Sequence, residues 1–298
     1  MHRQIMKIKT RNISFDENKH REVIEYYDQT RFDYNIAWAN KENLAFHFGY
    51  YDENADKHAQ ALLNTNKILA EKAGVKSGDK VLDAGCGKGG SALWLAEHLN
   101  AFAVGITPVA AQVEDCREAA KEKELEAQTA FFQADFCHTP FEDQSFDVVW
   151  ACESLCHAKD KLNFYKEAYR ILKPGGRLIV AEYIRTNRPL AEDAEQLLRK
   201  WLQGWAIPDL DTADEHHMKS SEAGFVNIKI KDYTPYAWIS LKNLHKISLR
   251  WLWIGRILRS LRIRSKLQHN NHMASIYQFQ ALNKNYWFYG HISAIKPL

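Results

Sequence analysis

The chain has 298 residues, 46% hydrophobic and 26% charged, with a formal net charge of +3. That length suits one large domain, or a domain carrying a cap. No run approaches the roughly 18 apolar residues of a membrane span, residues 1–7 lack the apolar core of a secretory leader, and so small a charge does not mark a nucleic-acid binder. Five scattered cysteines read as reduced thiols, so the expected location is cytoplasmic.

In chain order, residues 16–30 and 55–73 are expected to be helices. The aromatic-rich stretch between them, residues 31–51, reads either as packing against a sheet or as a lid. In the lid reading His47, Tyr50 and Tyr51, flanking Gly49, are candidate substrate contacts, and residues 1–74 form a lid unit. The next segment is Val81-Leu82-Asp83-Ala84-Gly85-Cys86-Gly87-Lys88-Gly89-Gly90, a short apolar strand running into glycines, followed by a helix over 91–99. Glycines let the backbone turn tightly and let a ligand approach closely. The helix start turns free N–H groups toward that ligand. Such a loop is how doubly wound α/β folds hold nucleotide-like cofactors. The spacing here is G-x-G-x-G rather than the dinucleotide G-x-G-x-x-G, and Asp83 suits a cationic or zwitterionic ligand better than a pyrophosphate.

Further strands are expected at 101–107, 131–136, 145–150 and 178–183, with helices at 109–124 and 161–172 and a turn at Lys173-Pro174-Gly175-Gly176-Arg177. Strands alternating with helices argue for βαβ units and a parallel sheet. Residues 224–232 alternate as a strand, and the last strand begins only near Tyr286. The intervening stretch is too long for a simple loop. It reads as a helical cap over 236–285, inserted between an α/β core at 75–235 and a closing strand at 286–298.

The D-x-G-x-G-x-G pattern resembles motif I of the class I S-adenosylmethionine-dependent methyltransferases, and the order of features from Val81 to Tyr183, with L-K-P-G-G before the fifth strand, is similar to theirs. Gly105-Ile106-Thr107 followed by Gln112 resembles the G-I-T-x-x-x-x-Q segment of the sterol and tocopherol C-methyltransferase group. Glu153-Ser154-Leu155-Cys156-His157 resembles the E-S-x-x-H of tocopherol methyltransferases and the E-S loop of prenyl diphosphate C-methyltransferases. The resemblance implies a Rossmann-like, doubly wound α/β fold with a seven-stranded sheet of order 3-2-1-4-5-7-6, and S-adenosyl-L-methionine as cofactor. It sets Asp83, Gly85 and Gly87 near the cofactor's methionine and ribose, Thr107 and Gln112 near the ribose and adenine edge, and Asp135 with Phe136 at the adenine. Many class I enzymes hold the ribose hydroxyls with an acid where Thr107 stands, so this chain departs from them there.

Glu153 and His157 are the candidate catalytic residues, since open α/β sheets gather ligand contacts at the carboxyl ends of their strands. If an alkene is methylated, a carboxylate offsets the resulting carbocation and then takes its proton; if a hydroxyl is methylated, Glu153 or His157 would deprotonate it. Tyr183 and Trp205, with Ile207 and Pro208, are candidate walls for the acceptor. No metal is expected: Cys152, Cys156 and His157 lack a second well-spaced pair, and the adjacent His216 and His217 read as surface or lid residues. Base-modifying relatives usually carry N-P-P-Y or D-P-P-Y where this chain has Cys152-Glu153-Ser154-Leu155, so the expected partner is a small molecule and not nucleic acid. The expected reaction is carbon methylation of a lipophilic, isoprenoid-type acceptor, with oxygen or nitrogen methylation of a sugar, phenol or alkaloid-like product as the alternative. Residues 249–264 look like a basic amphipathic helix. Three readings stay open for it: a cap helix with its cations in water, a membrane-surface helix, or a site for an anionic acceptor such as a prenyl diphosphate.

Overall fold

The computed structural model describes residues 9–11, 14–37 and 44–298. Part of the expected aromatic lid, residues 38–43, lies outside the described residues. The helices α1 (Glu17–Ala37) and α2 (His58–Ala73) precede strand β1 (Lys80–Ala84). The chain then alternates through α3 (Gly90–Leu99), β2 (Phe102–Thr107), α4 (Ala110–Glu122), β3 (Thr129–Gln133), β4 (Phe146–Cys152), α5 (Lys161–Ile171) and β5 (Leu172–Arg185). Helices α6 (Glu192–Gly204) and α7 (Ala213–Glu222) lead to β6 (Val226–Asp232); α8 (Thr234–Ser260) and α9 (Lys266–Asn283) separate it from β7 (Trp287–Ile295).

The seven strands form one sheet of order β3-β2-β1-β4-β5-β7-β6. The first five are parallel, and β7 runs antiparallel between β5 and β6. Both faces are covered, which explains why the central strands read as continuous apolar runs. Val81, Val148 and Trp150 enter one apolar layer with Trp201 and Trp287, while Leu82, Val104 and Val149 enter the other with Phe164 and Tyr165. Strand order reverses between β1 and β4, and the crevice at their carboxyl ends is where such sheets bind ligands. The Lys173–Gly176 segment, expected as a turn before the fifth strand, is instead part of β5. The cause is the chain's end: the Gly175 N–H donates to Lys296 O at 3.0 Å, and the Lys296 N–H to Gly176 O at 2.9 Å.

The cap is tied to α1. Tyr26 Oη donates to Asn271 Oδ1 at 2.7 Å, and Arg264 pairs with Asp33. Helix α1 and the α8–α9 pair therefore roof the carboxyl end of the sheet together.

Candidate active site

The glycine loop leaves β1 with Gly85, Gly87 and Gly89 at φ +95°, +52° and +81°, values that side-chain-bearing residues rarely adopt. Space forbids a side chain as well: a Cβ on Gly85 would lie 2.3 Å from the Cβ of Ser154. Around this loop is a cavity of about 400 Å³, whose walls include Asp83, Gly85, Gly87, Thr107, Gln112, Asp135 and Phe136. The expected cofactor residues are thus brought together.

Their electrostatics differ. Asp83 is buried, its Oδ2 has no hydrogen-bond partner among the described residues, and burial pushes its carboxyl up to about 7. A buried acid left half-paired is costly unless a ligand completes it. Burial also works to raise Asp135, but His20 and the Cys137 N–H outweigh it and hold that carboxyl below its ordinary value. His20 Nε2 lies 3.3 Å from Asp135 Oδ2, and the Cys137 N–H donates to Oδ1 at 2.7 Å. Thr107 Oγ1 donates to Gln112 Oε1 at 2.6 Å, so these two wall residues orient each other.

A second cavity, about 250 Å³, lies between the core and the cap. Tyr183, Trp205 and Ile207 form its core side, and Leu244, Ile247, Trp251, Ile254 and Leu258 of α8 its cap side. Ser248, Asn271, His272, Ser275 and the Asp33–Arg264 pair add polar groups. Tyr27, Phe46, Glu153 and His157 line both cavities and mark their junction.

Glu153 follows β4 directly, with φ +53°. A left-handed conformation at a residue other than glycine costs on the order of 1–3 kcal/mol, and such strain collects at functional sites. Its Oε1 accepts from the Phe48 N–H at 2.6 Å and from Tyr289 Oη at 2.8 Å, and its Oε2 accepts from Tyr183 Oη. Burial pushes the carboxyl up to about 7, against the pull of those three donors. For His157, burial lowers the ring to about 4, so it is neutral near pH 7. Its Nδ1 lies 3.2 Å from Ala206 O, which assigns the ring proton to Nδ1 and leaves Nε2 to accept from Tyr27 Oη at 3.1 Å.

The expected acceptor contacts scatter. Tyr183 and Trp205 line the second cavity, whereas His47 and Pro208 line the first. Tyr50 and Tyr51 line neither, which corrects the expectation for both. The Tyr50 N–H donates to Ala61 O and the Tyr51 N–H to Tyr236 O, which ties the segment to α2 and α8. The Tyr50 ring consequently stacks on Tyr236 at 4.4 Å, and Tyr51 Oη meets His58 Nδ1 at 3.1 Å. His216 is another correction: it is fully buried, 2.9 Å from Tyr165 Oη, and no surface residue. Sequence reasoning missed Tyr27, Phe46 and Tyr289. Only Tyr289 left a trace, since an antiparallel closing strand sets Tyr289 opposite Tyr183. Among the described residues, no group of three or more His, Cys, Asp or Glu side chains could hold a metal ion.

Residues 82–180 match a family model described as a methyltransferase domain. The chain is 32% identical over 197 residues to a 27-O-demethylrifamycin SV methyltransferase of Amycolatopsis mediterranei (strain S699), covering 65% of this chain and 71% of that protein. It is 31% identical over 244 residues to cycloartenol-C-24-methyltransferase 1 of Oryza sativa subsp. japonica, covering 79% and 70%. The solved structure of the cyclase SpnF shares the fold at TM-score 0.77 and 22% identity, over 98% of each chain. The chain belongs to the class I S-adenosylmethionine-dependent methyltransferases. It is a methyltransferase whose cofactor is S-adenosylmethionine, with relatives among the sterol and tocopherol enzymes. The buried Asp83 carboxyl, whose Oδ2 has no partner among the described residues, and the glycine turn beside it, at φ values that side-chain-bearing residues rarely adopt, fit that cationic cofactor.

Proposed function

We propose that this enzyme methylates a carbon atom of a lipophilic, isoprenoid-type acceptor by way of a carbocation held against Glu153. One observation carries the reading: Glu153 stands at the junction of the glycine-loop cavity and a second, largely apolar cavity, fixed by three hydrogen bonds.

In this reading Asp83 holds the ammonium end of the cofactor, Gly85 and Gly87 let its backbone lie close, Thr107 and Gln112 meet the ribose, and Asp135 with Phe136 receives the adenine. The bound cofactor supplies an electrophilic methyl group on a sulfonium. The chain's own task is to aim the acceptor at it and to manage the charge that results. The apolar residues of α8 and the Trp205 and Ile207 wall give an alkene apolar surroundings. After transfer the acceptor carries a positive charge. The Glu153 carboxylate offsets it, and the faces of Tyr27, Phe46, Tyr183 and Trp205 each add about 0.5–2 kcal/mol where a cation lies over a ring. Glu153 then accepts the proton that restores the alkene. With its carboxyl near 7, it returns that proton to water readily at neutral pH.

Oxygen or nitrogen methylation is the second reading, and the neutral His157 favours it: Nε2, now accepting from Tyr27, could instead take a proton from an acceptor hydroxyl. The relative from Amycolatopsis mediterranei is named for such an O-demethylated acceptor. Methyl-labelled S-adenosylmethionine offered with a sterol, a tocopherol precursor, geranyl and farnesyl diphosphates, and phenol and amine controls separates the two. Carbon-labelled product supports the first reading; label only on oxygen or nitrogen overturns it.

A further inference from the structure

From residue 233 to the end the chain contains no Asp or Glu, while eight Lys and Arg residues fall between Lys242 and Lys266. Much of this charge sits on α8, which meets the body of the protein along a narrow stripe. Ser248 Oγ is hydrogen-bonded to Ser275 Oγ at 2.7 Å, and a Cβ on Gly255 would come within 3.0 Å of His272 Nδ1. Seven residues apart, these two contacts share one face of the helix.

The opposite face carries Leu249, Trp253 and Ile257 at four-residue spacing, which forms a ridge. Trp253 is 71% exposed and Ile257 56%, and beyond the helix end Leu261 and Ile263 are 62% and 67% exposed. Exposed Lys246 and Arg250 flank this ridge. So large an apolar surface left in water marks an interaction site. The ridge also adjoins the second cavity, because Trp251 and Ile254 line that cavity and are themselves about half exposed.

We propose that the outer ridge of α8 lies in the headgroup layer of an anionic phospholipid bilayer, with the second cavity opening beside it. Interleaved cations and tryptophan suit that layer, where guanidinium and ammonium groups meet lipid phosphates while Trp, Leu and Ile enter the acyl boundary. The absence of acid from residues 233–298 removes charges that would be repelled there. The helix lies on the surface and does not cross, since no helix among the described residues is long and apolar enough to span. A lipophilic acceptor dissolved in the bilayer would then reach Glu153 without passing through water. The docking itself holds whichever atom is methylated.

The test is co-sedimentation of the full chain with vesicles of phosphatidylcholine alone and of phosphatidylcholine with phosphatidylserine, at low and high salt. Two double variants accompany it: Trp253→Ser with Ile257→Ser, and Lys246→Glu with Arg250→Glu. None of these four residues lines either cavity. Unchanged S-adenosylhomocysteine binding and melting temperature show that each variant is folded. The expected result is partitioning onto the serine-lipid vesicles about tenfold or more above neutral ones, falling about tenfold with high salt and in each double variant. Failure of the wild-type chain to pellet with the anionic vesicles would overturn the proposal, as would variants that pellet equally well. So would sedimentation velocity showing that the ridge instead pairs two copies of the chain, with the dimer lost in Trp253→Ser with Ile257→Ser.

Discussion

Replacing Tyr289 by Phe removes one donor from Glu153 and leaves the ring in its packed position. Tyr289 is buried, its hydroxyl lies 2.8 Å from Glu153 Oε1, and β7 sets it opposite Tyr183, the second phenol on the same carboxylate. A hydrogen bond to a charged acceptor is worth about 1.5–3 kcal/mol, and the same bond to a neutral carboxyl about 1 kcal/mol. Losing it therefore penalises the carboxylate over the acid by about 0.5–2 kcal/mol. At 1.36 kcal/mol per unit, the Glu153 titration should move upward by about one unit. The assay is infrared difference spectroscopy of the protonated carboxyl band as pH is raised. Asp83 and Glu182 are also pushed up, to about 7 and about 8, so the Glu153 signal is identified by its loss in Glu153→Gln. The wild-type midpoint should fall near 7 and that of Tyr289→Phe roughly one unit higher. An unmoved or lowered midpoint in Tyr289→Phe would refute the account of how Glu153 is held.

Gly85→Ala should destabilise the fold by about 2 kcal/mol or more, from strain at positive φ and from overpacking against Ser154, whose hydroxyl is fixed on Ala84 O; a melting temperature within 1–2 °C of wild type, about the scale of 0.5 kcal/mol, would contradict it. Binding of S-adenosylhomocysteine should release protons near pH 7, because Asp83 must be ionised to meet the ligand's ammonium, and Asp83→Asn should weaken binding about ten- to a hundredfold. Calorimetry in two buffers of different ionisation enthalpy reads that release, and none at all would remove Asp83 from the contact. Glu182 is fully buried and accepts from the Cys156 and Tyr183 N–H groups at 2.7 Å each, yet burial raises it to about 8. The folded chain thus keeps this proton after the unfolded chain has lost it, so its contribution to stability is present in acid and is lost as pH rises toward 8. Urea midpoints should therefore fall less steeply with pH in Glu182→Gln than in wild type.

The glycine loop and the succession of strands and helices from Val81 to Tyr183 were legible in the sequence because each depends on local chemistry, whereas the sheet order and the placing of Thr107, Gln112, Asp135 and Phe136 on one wall followed only from the family resemblance. Val81 to Gly90 encode a strand, a turn only glycine can make and a helix start, all within ten residues. The Glu153 neighbourhood was legible only in part. Its position after β4 is local, but Phe48 and Tyr289 reach it from 105 and 136 residues away, and no spacing along the chain reports that. Tyr27 was hidden for the same reason: α1 is held beside His157 by contacts remote in sequence, Tyr26 with Asn271 and Asp33 with Arg264 on the cap side and His20 with Asp135 on the core side. Tyr50 and Tyr51 show the converse, since residues that look like a lid by composition are fixed elsewhere by two backbone hydrogen bonds.

In the proposed function Glu153 governs a carbocation formed on carbon. The most direct test of that role is mass spectrometry of products formed from methyl-labelled S-adenosylmethionine by wild type and Glu153→Gln, with isoprenoid, phenol and amine acceptors side by side. The expected result is a carbon-methylated product that is lost in Glu153→Gln while S-adenosylhomocysteine still binds. Undiminished carbon methylation in Glu153→Gln, or label found only on oxygen or nitrogen, would contradict it.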